Sequence, residues 1–218
     1  QPDRNEATEF TQEMADDYVR MACAEVRKMK LPAGNPAVGH ARRILVVGGG
    51  ISGMTAALEA SRAGYDVLLI EKSAALGGWA ARLHKRVAFR EPHSDPADTG
   101  VPELVAAVQA DPRIEVALNA TVAKTDGAPG RFQVRIEVES GASRTAEIGA
   151  IVQATGFSTY DAAKLPELGF GRTANVVDQA GLEALARDAH ARGQPIRRPS
   201  DGGEVKSVVF VQCAGQRD

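Results

Sequence analysis

The sequence predicts an α/β fold, a parallel sheet with flanking helices and a small inserted antiparallel β-meander. Three observations predict it. Ile44-Leu45-Val46-Val47 and Val67-Leu68-Leu69-Ile70 are short continuous apolar runs, as expected of strands buried on both faces of a parallel sheet. A glycine-rich turn and an Ala-rich helical stretch, residues 51–63, lie between those runs. Over residues 121–148 the pattern changes: Val134, Ile136 and Val138 alternate with Arg135, Glu137 and Glu139, the period of a half-exposed antiparallel strand.

The remaining elements follow in order. Residues 9–30 read as a helix, with Phe10, Met14, Tyr18, Ala22, Val26 and Met29 in one apolar stripe. Its early acids (Glu9, Glu13, Asp16, Asp17) and late bases (Arg27, Lys28, Lys30) suit the helix dipole. The stripe predicts that the helix docks on something, with Cys23 packed on its apolar side. Pro32, Gly34, Pro36 and Gly39 mark a linker. Gly64 is a natural terminator for the helix that begins at Ile51. Val101–Ala110 reads as a helix stopped by Asp111-Pro112, and residues 114–118 as the next strand. Turn signals at 127–130 and 140–142 bracket the alternating strand, residues 150–154 return to the buried-strand pattern, 179–191 reads as a helix, and Ser207–Val211 as a last apolar strand. The organisation is therefore an N-terminal helix and linker, 1–40, followed by a single incomplete domain, 41–218. The absence of an initial Met and an end directly after an apolar run fit a piece of a longer polypeptide.

Charge and composition narrow the function. A net charge of −2 gives no electrostatic footprint for nucleic acid. No apolar run reaches the roughly 20 residues that cross a bilayer, and the N-terminus lacks a basic-then-apolar signal pattern, so a cytoplasmic setting is expected. Two cysteines, Cys23 and Cys213, are too few for a disulfide framework or a self-contained metal site.

Gly48-Gly49-Gly50-Ile51-Ser52-Gly53 fits GxGxxG between a strand and a helix. In that setting Gly48 permits the tight turn, Gly50 lets backbone approach a pyrophosphate, and Gly53 lets the helix pack on the strand. Ile51 and Ser52 open a helix whose unpaired N–H groups face the phosphates. Glu71, at the end of the second strand and followed by Lys72, supplies a carboxylate for the adenosine ribose hydroxyls and repels a 2′-phosphate. This is the Rossmann-like dinucleotide pattern.

The stretch after Glu71 resembles flavoproteins with two dinucleotide-binding domains. In these a glycine pair follows the ribose carboxylate, here Gly77-Gly78-Trp79. A Val just before the meander offers backbone to adenine, here Val122, and an ATG segment returns beside the pyrophosphate, here Ala154-Thr155-Gly156. An NAD domain needs neither the pair nor the meander, so the resemblance implies FAD.

Three longer stretches resemble a narrower family: GGGISGMTAALEASRAGYDVLLIEKSAALGGWAARLHK, residues 154–177, and the closing RRPSDGGEVKSVVFVQCAGQRD. They are similar to the HdrA flavoproteins of heterodisulfide reductase and to the flavin subunits of the quinone-interacting membrane-bound oxidoreductase complex. The early helix resembles the segment that precedes the flavin domain there. This resemblance implies a non-covalent FAD passing electrons among iron–sulfur clusters and partner redox subunits. It also implies that Cys213 is the first ligand of a cluster completed downstream, in a longer chain only. One departure is clear: many relatives carry a cysteine-bearing insertion after the glycine pair, whereas residues 79–113 contain no Cys.

The residues leave other readings open. Lys85, Arg86 and Arg90, near His84 and His93, form a basic loop that is either solvated or a phosphate or partner contact. No His, Asp and Ser set converges for hydrolysis, and no CxxC pair exists for a dithiol mechanism; no catalytic residue is assigned. An FAD-dependent oxidoreductase component, inactive as this piece alone, fits best. The alternatives are a self-sufficient FAD-dependent NAD(P)H oxidoreductase or amine oxidase-like enzyme, and a non-catalytic assembly module that keeps the fold.

Overall fold

In the computed structural model, residues 9–30, 39–88 and 90–212 are described. The chain divides into two compact units, residues 1–39 and 40–218. The first holds α1 (Glu9–Lys28), a 20-residue helix with Glu9 in its first turn and Arg27 and Lys28 in its last. α1 contains no buried residue, and Cys23 is exposed. The expectation that Cys23 packs is thus corrected. An amphipathic stripe shows that a helix face can be covered without providing the cover.

In the second unit, β1 (Arg43–Val47), β2 (Asp66–Ile70), β3 (Ile114–Ala117) and β7 (Ala150–Gln153) form a parallel sheet in the order β3-β2-β1-β7. β4 (Ala120–Asp126), β5 (Phe132–Val138) and β6 (Ser143–Ile148) form the antiparallel meander. The β1–β2 register runs from Arg43 opposite Asp66 to Val47 opposite Ile70, so both strands end level at their carboxyl ends. There the turns after β1 and β2 meet.

Two apolar clusters fill the faces of the sheet. On one, Val46, Val67 and Leu69 pack with Met54, Ala57 and Leu58 of α2 (Ile51–Arg62) and with Val101 and Val108 of α3 (Val101–Ala110). On the other, Leu45, Leu68 and Ile70 meet Val134, Ile136 and Ile148 of the meander. Alternation along each strand divides its side chains between these layers, which is why the parallel strands read as unbroken apolar runs. A final helix, α4 (Gln179–Ala191), is capped by the Asp178 carboxylate, which accepts from Gly181 N–H at 2.8 Å.

An ion-pair bridge ties the two sheets. Glu115 on β3 accepts hydrogen bonds from Arg43 on β1 and from Arg144 on β6, the latter at 2.5 Å. Partial burial pushes the Glu115 carboxyl up, but the hydrogen bonds and charges of the two guanidinium groups outweigh it and hold it below the usual carboxylate range. A lowered folded-state pKa contributes stability above the unfolded value, and that stability disappears as pH falls through the folded value. Glu115→Gln is therefore expected to cost up to about 1 kcal/mol at neutral pH, the site being part-exposed and screened. Its melting temperature should converge on that of the unsubstituted chain in acid. Parallel melting curves at all pH values would show that the bridge contributes nothing.

Ser207–Val211, expected as a strand, is not one. Val208, Val209, Phe210 and Val211 are exposed, and among the described residues the parallel sheet ends at β7. Just before this run, Val205 N–H donates to the Ile196 carbonyl. An apolar run becomes a strand only where a neighbouring edge takes up its backbone groups.

Candidate functional site

The turn after β1 is built by close approach of backbone. Gly48 lies at φ +110°, a conformation that an L side chain rarely adopts, and donates its N–H to the Ile70 carbonyl at 2.8 Å. A Cβ on Gly48 would overlap the carbonyl of Ala154, at the end of β7, and one on Gly53 would overlap the carbonyl of Gly48 itself. These two glycines therefore let the turn, β7 and the start of α2 touch. Gly50 differs: a Cβ there meets nothing within 4 Å, so its surface is open.

α2 begins at this open surface. Its N-cap is Gly50, with no side-chain cap and no acidic residue in the first turn. Ile51 and Ser52 are exposed and Gly53 is buried. A helix start of this kind leaves N–H groups and a positive dipole end available to an anion. The contrast with α4, whose start is capped by Asp178, is local and chemical.

Glu71 is only 6% exposed. Its Oε2 accepts from Gly49 N–H at 2.6 Å and its Oε1 from Ser73 N–H at 2.8 Å. A carboxylate offers about four lone-pair positions, so each oxygen keeps acceptor capacity after these bonds. The sequence pattern singled out Glu71 but missed Gly49, which occupies a variable position of the fingerprint. Gly49 is held on three sides: it donates to Glu71, its carbonyl accepts from Gly77 N–H at 2.8 Å, and a Cβ on it would lie 2.5 Å from Leu76 Cδ2.

The glycine pair closes on the same turn. Gly77 and Gly78 both have positive φ, and a Cβ on Gly78 would lie 3.0 Å from Gly50 Cα. Gly78 starts a 3₁₀ turn, Gly78–Arg82, that carries Trp79. The Trp79 ring centroid lies 6.0 Å from that of Phe157, and the Arg82 guanidinium 5.2 Å from the Trp79 centroid. The residues 154–156 continue β7: Ala154 N–H donates to the Val47 carbonyl at 2.8 Å, Thr155 is exposed, and Gly156 has φ +69°. Lys72 is exposed beside Glu71. Val122 sits on β4, half-buried, where the β4–β5 register shifts between Val122 and Lys124. Cys213 lies outside the described residues.

Three residues of the basic loop are engaged within the chain. Lys85 pairs with Asp98 at 2.5 Å, Arg86 Nε donates to the Asp98 carbonyl at 2.7 Å, and His84 N–H donates to Glu183 at 2.6 Å. The Lys85 hydrogen bond and charge hold the Asp98 carboxyl below its ordinary value. Among the described residues no group of three or more His, Cys, Asp or Glu is placed to hold a metal, and no helix is long and apolar enough to cross a membrane.

The family described as an NAD(P)-binding Rossmann-like domain matches residues 46–103, from β1 through the glycine turn, Glu71 and the glycine pair. The second A-type iron–sulfur subunit of CoB–CoM heterodisulfide reductase from Methanopyrus kandleri is 27% identical over 94% of this chain and 42% of its own length. Over nearly its whole length the chain is thus similar to A subunits of heterodisulfide reductase. The corresponding HdrA protein of the ferredoxin/F420H2-dependent CoB–CoM heterodisulfide reductase of Methanosarcina acetivorans is 25% identical, over 94% of this chain and 35% of its own. The chain thus spans less than half the length of these HdrA relatives. The alignment with the Methanopyrus protein extends over 281 positions, more than the 218 residues here, so that relative carries segments the chain lacks. A solved thioredoxin reductase of T. acidophilum aligns over 55% of this chain and 38% of its own, at 18% identity and a TM-score of 0.44.

Proposed function

We propose that this chain binds FAD through its ADP half and serves as the flavin-carrying part of an HdrA-like oxidoreductase. The observation that carries the reading is the linked pair of Glu71 and Gly49 beside the open face of Gly50. A buried carboxylate fixed by two backbone N–H groups stands next to an uncapped helix start where a Cβ on Gly50 would meet nothing within 4 Å.

Each residue then has one task. Gly48 and Gly53 bring the turn and α2 together, and Gly50 with the N–H groups of Ile51, Ser52 and Gly53 receives the pyrophosphate. Glu71 accepts from the ribose hydroxyls, with Lys72 at the solvent edge. Val122 offers backbone to the adenine at the β4 irregularity. Ala154, Thr155 and Gly156 border the pyrophosphate from β7, while Gly77, Gly78 and Trp79 border the path from pyrophosphate to flavin. The isoalloxazine, once bound, supplies the electron-transfer chemistry, and the protein supplies binding, orientation and electrostatics. Electrons pass between iron–sulfur clusters and partner redox subunits. Cys213 would act as a cluster ligand only in a longer polypeptide that supplies further cysteines; four ligands are the usual need, and this chain has two cysteines.

Glu71→Ala tests the reading. FAD affinity is expected to fall by about 1.5–3 kcal/mol, the range for hydrogen bonds to a charged group. A thermal melt of the FAD-free variant belongs alongside, because Gly49 and Ser73 N–H also lose their acceptor. Unchanged affinity would mean that Glu71 does not face the ribose. Equal affinity of the unsubstituted chain for FMN would remove the ADP-based assignment.

A further inference from the structure

Trp79 and Phe157 lie on separate loops, one after Gly78 and the other after Gly156, yet their rings approach to 6.0 Å at 54°. Phe157 is 70% exposed, a large apolar ring left in water at the carboxyl end of the sheet. Trp79 is half-buried and has the Arg82 guanidinium 5.2 Å from its centroid. The loop that carries Trp79 is fastened from both sides: Gly77 N–H donates to the Gly49 carbonyl, and Arg187 of α4 donates to the Ala81 carbonyl at 3.0 Å.

Strand order gives the pair its position relative to the glycine turn. Glu71 ends β2 on one side of β1, and Ala154 to Phe157 continue β7 on the other. A dinucleotide whose ribose meets Glu71 and whose pyrophosphate lies on Gly50 directs its remaining half toward the β7 side, where Phe157 and Trp79 stand. Gly78 against Gly50 brings the start of the Trp79 loop to that same turn.

We infer that Trp79 and Phe157 together form one aromatic wall against which the isoalloxazine half of FAD packs. This rests on the reading that the glycine turn and Glu71 hold the ADP half. Offset or tilted aromatic packing suits a planar tricyclic ring, and a wall built from two loops selects the ligand that spans both.

Trp79 is the sole tryptophan, so its emission reports the site directly. The 218-residue chain is titrated with FAD and, separately, with ADP, and affinities are measured by calorimetry for the unsubstituted chain, Phe157→Leu and Trp79→Leu. FAD is expected to quench Trp79 emission strongly and ADP hardly at all. Each substitution should weaken FAD about tenfold and leave ADP within about twofold. Retained ADP binding shows that the variants are folded. Unchanged FAD affinity in both variants, or an equal loss of FAD and ADP, would overturn the aromatic wall while leaving the ADP-site reading in place. An unsubstituted chain that binds neither ligand would overturn that reading and the wall with it.

Discussion

Gly50→Val should weaken FAD binding upward of about a hundredfold while lowering the melting temperature only slightly, by the loss of a favourable N-cap residue. Gly50 has φ −77° and ψ −176°, an extended conformation that any residue adopts, so Val introduces no backbone strain. Its Cβ would meet nothing within 4 Å in the protein. The branched side chain would instead occupy the space in front of the α2 N-terminus, where a pyrophosphate must approach to reach the backbone N–H groups. Loss of those contacts, several of them charge-assisted, is expected to weaken FAD by about 3 kcal/mol or more, upward of about a hundredfold. Calorimetry and a thermal melt on the same preparation check both halves. Normal FAD affinity would mean that the open face of Gly50 is not the phosphate site.

Gly53→Ala should do the reverse of sparing the fold. Its Cβ would overlap the carbonyl oxygen of Gly48, a backbone atom with no flexible end to move. Relief requires α2 to lift from β1, which loosens Met54, Ala57 and Leu58 from the core they share with Val46 and Leu69. Overpacking of this kind costs up to about 3 kcal/mol, or roughly 6–12 °C of melting temperature for a domain of this size. FAD binding should weaken as well, since the turn moves with the helix. A variant that melts unchanged would show that α2 and the turn are not packed as described. Two glycines three positions apart in one motif thus fail differently, one by blocking a ligand and the other by wedging open the fold.

The parts of the fold that rest on local pattern were legible in the sequence. Continuous apolar runs identified the parallel strands because both faces of each are covered, by helices on one side and the meander on the other. Alternation at Val134, Ile136 and Val138 identified the meander because Val134 and Ile136 are buried while Arg135 and Glu137 carry charge outward. Features that depend on a distant partner were not legible. Gly49 reads as a filler between two marked glycines; its need to be glycine comes from Leu76 and Glu71, more than 20 residues away. The Trp79–Phe157 contact joins loops that only the sheet order brings together. Ser207–Val211 failed in the opposite sense. Its composition suits a strand, but composition carries no information about whether an edge is available. The packing expected of Cys23 failed for the same reason, since amphipathicity describes one surface and packing needs two.

The central claim is that this chain holds FAD by its ADP half. Its most direct test is the absorption spectrum of the purified 218-residue chain after addition of FAD and removal of the excess, with the cofactor released by heat identified by mass. The account predicts an oxidised-flavin spectrum and the mass of FAD, released intact because no covalent bond holds it. A chain that stays colourless after FAD is added, or that releases FMN or a nicotinamide dinucleotide instead, would contradict it.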